Sequence, residues 1–385
     1  VKELSCEVAV IGGGINGLCA LTHLHRMGVP NLLLLEQFRV GHDRGSSHGK
    51  SRITRSAYVD RAYVKLMQIA HAQEWPRLEQ DLGVQLIYKT TGCFYGTEAS
   101  GFGRYRDSVA GMGLDLEVLT PDEARTRFPL FNFPDADGVV VDHTAGVVAA
   151  ERTIVNLDRH LARSGVSRLE NAGVLEIDPT EDPILIRTNH VNVRAKRLVV
   201  TAGSWTNRLV PALNPRLSVA RQTVGYVRLK GDPSEFTPGA FPVWGSFETT
   251  PRKTHYGLPQ FERDGIKLAL HRTNRAGDDP DADPGPPDEA IEELRTFIAE
   301  HFTRPIDSFI ATESCLYTNT ATEDYVLDLH PDNSAIAVGA GFSGHGFKLA
   351  PISGRILAEL AMNGKTDIPE FESERNRFSI AGSAA

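Results

Sequence analysis

Long apolar runs are missing from this chain of 385 residues. None approaches the roughly 18 residues that cross a bilayer as a helix, so no membrane span is expected. Cysteine is scarce. The four residues at 6, 19, 93 and 315 form no C-x-x-C pair and no zinc-like spacing. Neither a disulfide framework nor a metal site is expected, and a reducing compartment fits best. Basic residues are outnumbered, 41 Lys and Arg against 49 Asp and Glu, for a net charge of −8. That argues against nucleic acid or an anionic membrane as main partner, because both reward clustered cations. It leaves room for a small anionic substrate, which a few local cations can bind. Val1–Ser5 shows no basic segment followed by an apolar one, so no secretory signal is expected and a cytoplasmic location is. A peroxisomal location would be conceivable in a eukaryote, but Ser383-Ala384-Ala385 does not match an S-K-L tail.

What is present is ordinary in bulk and specific in detail. Hydrophobic content of 41 % and charged content of 23 % suit a globular enzyme with one large or two medium domains. Leu4–Ile11 reads as a buried strand, Ile15–Met27 as a helix and Asn31–Glu36 as a second buried strand, a βαβ unit of about 30 residues. Residues 37–58 form a polar, Gly-rich loop, and a loop that long is usually functional. Amphipathic helices are predicted over Tyr63–Leu82, Thr153–Ala162, Ala290–Phe302 and Pro351–Met362. Strands are predicted over Thr91–Tyr95, Gly173–Ile177, Ile184–Arg187, Arg197–Thr201 and Ala335–Gly339. Gly277–Pro287 is too rich in Pro and Asp for regular structure. The α/β pieces recur at separated places. The expected architecture is therefore α/β: a Rossmann-like dinucleotide domain (1–85, 150–215 and 320–385) plus a mixed-sheet α+β substrate domain (86–149 and 216–319).

Gly12-x-Gly14-x-x-Gly17 lies between the first strand and its helix. Gly12 permits the tight turn, Gly14 lets the backbone approach a pyrophosphate at the helix N-terminus, and Gly17 lets helix and strand pack closely. Glu36 ends the second strand, where an acid can accept a ribose hydroxyl. This pattern says dinucleotide without separating FAD from NAD. Residues 341–348, Gly-Phe-Ser-Gly-His-Gly-Phe-Lys, lie between a strand and a helix starting near Phe347. Three glycines there suit close approach to a flat ring or an anion. The run lacks the G-x-S-x-G of a serine-hydrolase elbow. Taken alone, Cys315 reads as a buried thiol, and His48 with Ser51–Arg55 as a solvated basic loop. Lys267 and His271 share one face of a strand with Ala269, where a Lys is more often solvated than catalytic.

Four stretches carry a family resemblance: 44–55, 256–259, 313–320 and 341–351. Through them the chain resembles the monomeric sarcosine oxidases, and still more the animal-type pipecolate and sarcosine oxidases of the same flavoprotein family. The resemblance spans nearly the whole chain, with departures concentrated in 216–255 and 277–290. It implies FAD held by a thioether from Cys315 to the flavin 8α carbon. It implies that Arg55 and Lys348 pair with a substrate carboxylate, that Lys267 activates oxygen beside flavin N5, and that Arg52 and His48 lie near the flavin ring. It puts Tyr256, His271 and Tyr317 around the substrate, with Gly245 and Gly344 on the substrate side. It adds Ser46, Val174, Gly344, His345, Gly346 and Lys348 to the cofactor-binding set.

The chemistry suits these roles. Two cations make a carboxylate clamp, with Arg giving bidentate geometry, and a fixed Lys⁺ favours making superoxide from O₂. The expectation is a monomeric FAD-dependent oxidase of a small secondary amino acid (sarcosine, another N-methyl amino acid or L-pipecolate), giving an imine and H₂O₂. Rivals are a fructosyl-amino-acid oxidase, a dehydrogenase with a non-oxygen acceptor, and a non-catalytic dinucleotide sensor. Lys267 speaks against the dehydrogenase and Cys315 against the sensor. Around Gly245 a larger apolar side chain of the family is missing, which predicts a pocket opened for a bulkier amine unless Trp244 or the following loop refills it.

Overall fold

The computed structural model describes residues 3–214, 216–247, 253–272 and 277–382. The first strand, Glu3–Ile11, runs parallel between Leu32–Leu35 and Asn192–Val200. Its side chains feed two cores. Val8 and Val10 pack with the helix Ile15–Arg26, whereas Ala9 and Ile11 pack on the opposite face. Burial on both faces is why this strand reads as a continuous apolar run instead of an alternating one.

The first sheet has eight strands. Its main path is Val174–Asp178, Ile184–Thr188, Asn192–Val200, Glu3–Ile11, Leu32–Leu35, Ser167–Leu169. Asn333–Ala340 joins it in parallel beside Leu198–Val200, and Val326–His330 pairs with Asn333–Ala340. The helix Ala350–Asn363 packs on Ile15–Arg26. The second sheet, also eight strands, runs Ile306–Asn319, Ser218–Leu229, Ile266–Arg272, Lys253–Leu258, Val243–Phe247, Gly92–Gly96, Gly138–Asp142, Leu116–Leu119. The helix Asp288–His301 packs against this sheet, its Leu294, Phe297 and Ile298 sharing a core with Trp244, Phe241 and Leu268. The α/β class and the mixed second sheet are as the sequence indicates.

Three local expectations change. The polar loop 37–58 contains a strand, Ser51–Thr54, which pairs with Gly146–Ala149 in a small sheet with Ile87–Lys89. Four residues of mixed polarity gave too little periodicity to reveal it. The helix expected over 63–82 begins at Arg61, where Asp60 caps the Ala62 N–H at 2.8 Å. It then passes through a π-helical turn, Ala70–Glu74, before resuming over Trp75–Leu82 and stopping at Gly83. The helix after the Gly-rich run 341–348 begins at Ala350, not near Phe347. The Pro- and Asp-rich segment has no regular structure, yet it is pinned: the Trp205 indole N–H donates to Asp281 at 2.8 Å and the Arg221 N–H to Asp278 at 2.7 Å. Among the described residues no helix is long and apolar enough to cross a membrane.

Candidate active site

A cavity of about 1010 Å³, lined from both sheets, runs from the first Gly-rich turn to a rim at Asp60, Asp324 and Arg377. At its first end Gly12 has φ +102°, and a Cβ there would lie 2.3 Å from the Thr201 carbonyl oxygen. Only glycine makes this turn and lets a ligand approach the backbone. Gly14 lines the cavity at the helix N-terminus. Gly17 does not line it. A Cβ at Gly17 would meet the Gly12 oxygen at 2.0 Å, so its part is packing. Glu36 is buried, accepting the Gly13 N–H at 2.7 Å and the Phe38 N–H at 2.8 Å, so it braces the turn as well as facing the cavity. Val174 lines this end. The Ser46 hydroxyl donates to the Leu316 carbonyl at 2.5 Å, tying the loop to the strand of Cys315. The buried atoms Asn16 Oδ1 and His48 Nε2, both from cavity-lining residues, have no hydrogen-bond partner among the described residues. An open cradle with unspent polar atoms fits a dinucleotide.

The middle of the cavity gathers four groups that the sequence scatters between residues 48 and 315. Arg52 donates to the carbonyls of Ser46 (2.8 Å), His48 (2.6 Å) and Ser51 (2.9 Å), which shapes the loop. Lys267 is 5 % exposed, and its Nζ donates to the Ser51 carbonyl at 2.9 Å. The solvated reading of this Lys is therefore overturned. Burial pushes its pKa well below the usual lysine range, and the Arg52 charge adds to this. Burial pushes the Cys315 thiol up, but the His48 ring and the charges of Arg52 and Lys267 outweigh it, and the net shift is downward. A thiol biased toward thiolate is a nucleophile.

The far end holds Arg55, Lys348, Tyr256, His271 and Tyr317. Arg55 is half-buried against the rings of Phe94 (4.7 Å), Tyr58 (5.0 Å) and Tyr105 (5.2 Å). Lys348 Nζ sits 5.0 Å from the Tyr58 ring centre. Among the described residues neither cation has an ion pair. Burial lowers the Lys348 pKa well below the lysine range, and the Arg55 charge lowers it further. Tyr317 OH is 3.3 Å from His271 Nδ1 and 3.4 Å from Tyr256 OH. Burial keeps both tyrosines protonated and lowers the His271 pKa. Gly344, at φ +78°, lies flat on Tyr317, where a Cβ would come within 2.2 Å of the ring. Gly346 packs likewise on Phe342, and His345 is held by the Tyr325 hydroxyl at 2.8 Å and by the Glu323 carbonyl at 3.0 Å.

The structure bears on the open-pocket and Trp244 readings at Gly245, while the loop that follows, residues 248–252, lies outside the described residues. Gly245 lines the cavity, but the space beside it is filled: a Cβ would meet the Phe94 ring at 3.0 Å. Phe94 is its direct partner in the parallel ladder. Trp244 is not the filler, because it faces the other way and stacks on Phe297. Phe94, Tyr58 and Tyr105, which cage Arg55, escaped sequence reasoning. Phe94 lies on a strand, Tyr58 in a loop and Tyr105 on the helix Phe102–Val109, and no local pattern brings the three together.

A family model described as FAD dependent oxidoreductase matches residues 7–360. The chain belongs to this family. As a member of the FAD dependent oxidoreductases it is an enzyme, and the dinucleotide that the first Gly-rich turn calls for is FAD. It is 35 % identical to the peroxisomal sarcosine oxidase of Mus musculus, over 98 % of this chain and 97 % of that one. It is 31 % identical to the monomeric sarcosine oxidase of Bacillus sp. (strain B-0618), over 94 % and 93 %. Among solved structures, NikD, an unusual amino acid oxidase essential for nikkomycin biosynthesis, superposes with a TM-score of 0.83 at 22 % identity, covering 99 % of this chain and 98 % of that one. That likeness shows the fold.

Proposed function

We propose that this FAD enzyme oxidises a small secondary amino acid of the sarcosine, N-methyl or L-pipecolate type to its imine, with O₂ reduced to H₂O₂. It acts as a monomer, in a reducing compartment, with FAD joined to Cys315. The observation that carries this is the pair Arg55 and Lys348: two cations lining one cavity, neither in an ion pair among the described residues, beside an aromatic enclosure. Two cations facing a cavity from an aromatic wall, neither of them ion-paired, suit an anionic ligand.

The carboxylate of the amino acid supplies it, with Arg55 offering a two-pronged contact and Lys348 a point charge. FAD would supply the acceptor for the hydride lost from the C–H bond beside the substrate nitrogen, which leaves a C=N bond, with O₂ as the final oxidant reduced to H₂O₂. The chain's residues do the rest. Tyr256, Tyr317 and His271 enclose the amine end, and His271, lowered by burial, adds no positive charge at neutral pH. The positive surroundings disfavour an ammonium, so the amine is held in its reactive neutral form. Lys267 sits where a cation would stabilise superoxide as O₂ is reduced. Units 1–85, 150–215 and 320–385 would hold the cofactor, and 86–149 with 216–319 the substrate. The lowered thiol supports a thioether at Cys315, and relatives named sarcosine oxidase support the substrate class.

The test is a panel of sarcosine, L-proline, L-pipecolate and a fructosyl amino acid, followed by H₂O₂ release. Because Phe94 fills the space at Gly245, the small amines should win. No peroxide from any secondary amino acid, with the flavin staying oxidised anaerobically, would end this reading.

A further inference from the structure

The π-helical turn is an unusual feature of the fold, and such turns tend to persist where function needs them. The Trp75 N–H reaches back five residues to the Ala70 carbonyl. The turn carries His71, whose Nε2 lies 2.6 Å from the Thr54 hydroxyl and whose Nδ1 lies 2.9 Å from the Ser56 hydroxyl. Those hydroxyls belong to the two chain neighbours of Arg55. Burial brings the imidazole down to about 4, so at neutral pH one ring nitrogen donates and the other accepts. A single neutral ring thus fixes the backbone on both sides of Arg55. Just past the turn, the Trp75 indole N–H donates to the main-chain carbonyl of Lys348 at 2.8 Å. The turn itself is anchored: buried Glu74 meets Arg355 at 3.1 Å and His23 at 3.4 Å.

We propose that the π-helical turn Ala70–Glu74, acting through His71 and Trp75, positions both cations of the carboxylate clamp at once. His71 and Trp75 touch neither ligand nor cofactor in this scheme. They are positioning residues, one behind Arg55 and one behind Lys348. The inference rests on the clamp reading above.

The experiment titrates the flavin absorbance of the holoenzyme with 2-furoate, a ring-sized carboxylate, and with its neutral counterpart 2-furamide. His71→Phe and Trp75→Phe should each raise the 2-furoate Kd about tenfold, the equivalent of one net hydrogen bond. The 2-furamide Kd and the flavin content should stay within twofold. His71→Gln, which keeps a donor and an acceptor, should recover most of the affinity. In an Arg55→Ala background His71→Phe should add nothing, because its effect passes through Arg55. Equal losses for both ligands, or full additivity with Arg55→Ala, would overturn the positioning role. Should His71→Phe fail to fold, Trp75→Phe against a Lys348→Ala background decides by the same criteria. If Arg55→Ala and Lys348→Ala leave the 2-furoate Kd unchanged, the clamp reading has failed instead, and that result is separate.

Discussion

Lys267 has its ammonium in contact with a main-chain carbonyl and almost no water, a costly place for a charge unless something uses it. Lys267→Met should slow flavin reoxidation by O₂ roughly 100- to 1,000-fold, the usual loss for a preorganised charge. Flavin reduction by substrate should change far less, and stopped flow separates the two. Cys315→Ala should release flavin into the supernatant on acid precipitation, while the unmutated protein keeps its colour in the pellet. Lys348 gives a pH effect whose sign is fixed. Its pKa is lowered below 10.5, and an anion binds only its protonated form well. Affinity for 2-furoate is therefore highest at low pH and falls as pH rises through the lowered value, below the ordinary lysine range. His271 and His345, both lowered from 6.5, are neutral at and above neutral pH, so the part of the slope measured there belongs to Lys348. Lys348→Met should abolish the slope, as read by flavin titration at several pH values.

The run 341–348 shows how much one element holds. Gly344→Ala would press a methyl into the Tyr317 ring at a backbone angle that favours glycine. A stability loss of about 1–3 kcal/mol is expected from the urea midpoint, with kcat/KM falling while flavin stays bound. This element was legible in the sequence because its three glycines fall within six residues. The βαβ unit was legible for the same reason, since its spacing of glycines and apolar residues is local. Lys267 was harder: a strand face could be assigned, but whether that face met water depended on Ser218–Leu229 and Lys253–Leu258 pairing on either side. The Phe94 filler at Gly245 was illegible. So was the π-helical turn, since one extra residue per turn leaves no mark on an amphipathic pattern spanning 20 residues. What sequence conveyed was chemistry; what it withheld was which distant strands became neighbours.

Both sheets contribute walls to the one cavity, so cofactor and fold should stabilise each other. Flavin-free Cys315→Ala protein given FAD at 100 times its Kd should gain about 2.7 kcal/mol, visible as a rise in Tm by calorimetry. Circular dichroism and tryptophan fluorescence should report the same shift if the two sheets melt as one unit. The parallel neighbour of Glu3–Ile11 that matters most here is Asn192–Val200, and the cavity lining reaches as far along the chain as Lys348 and Arg377. On a ribosome adding about 5–20 residues per second, the first strand therefore waits on the order of 10–40 s for that partner. Throughout that time it is an apolar segment with an unpaired edge. The cavity cannot be complete until residues as late as Lys348 and Arg377 have been made, so flavin should not load before then, and a nascent chain stalled before residue 348 should need a chaperone to stay out of aggregates.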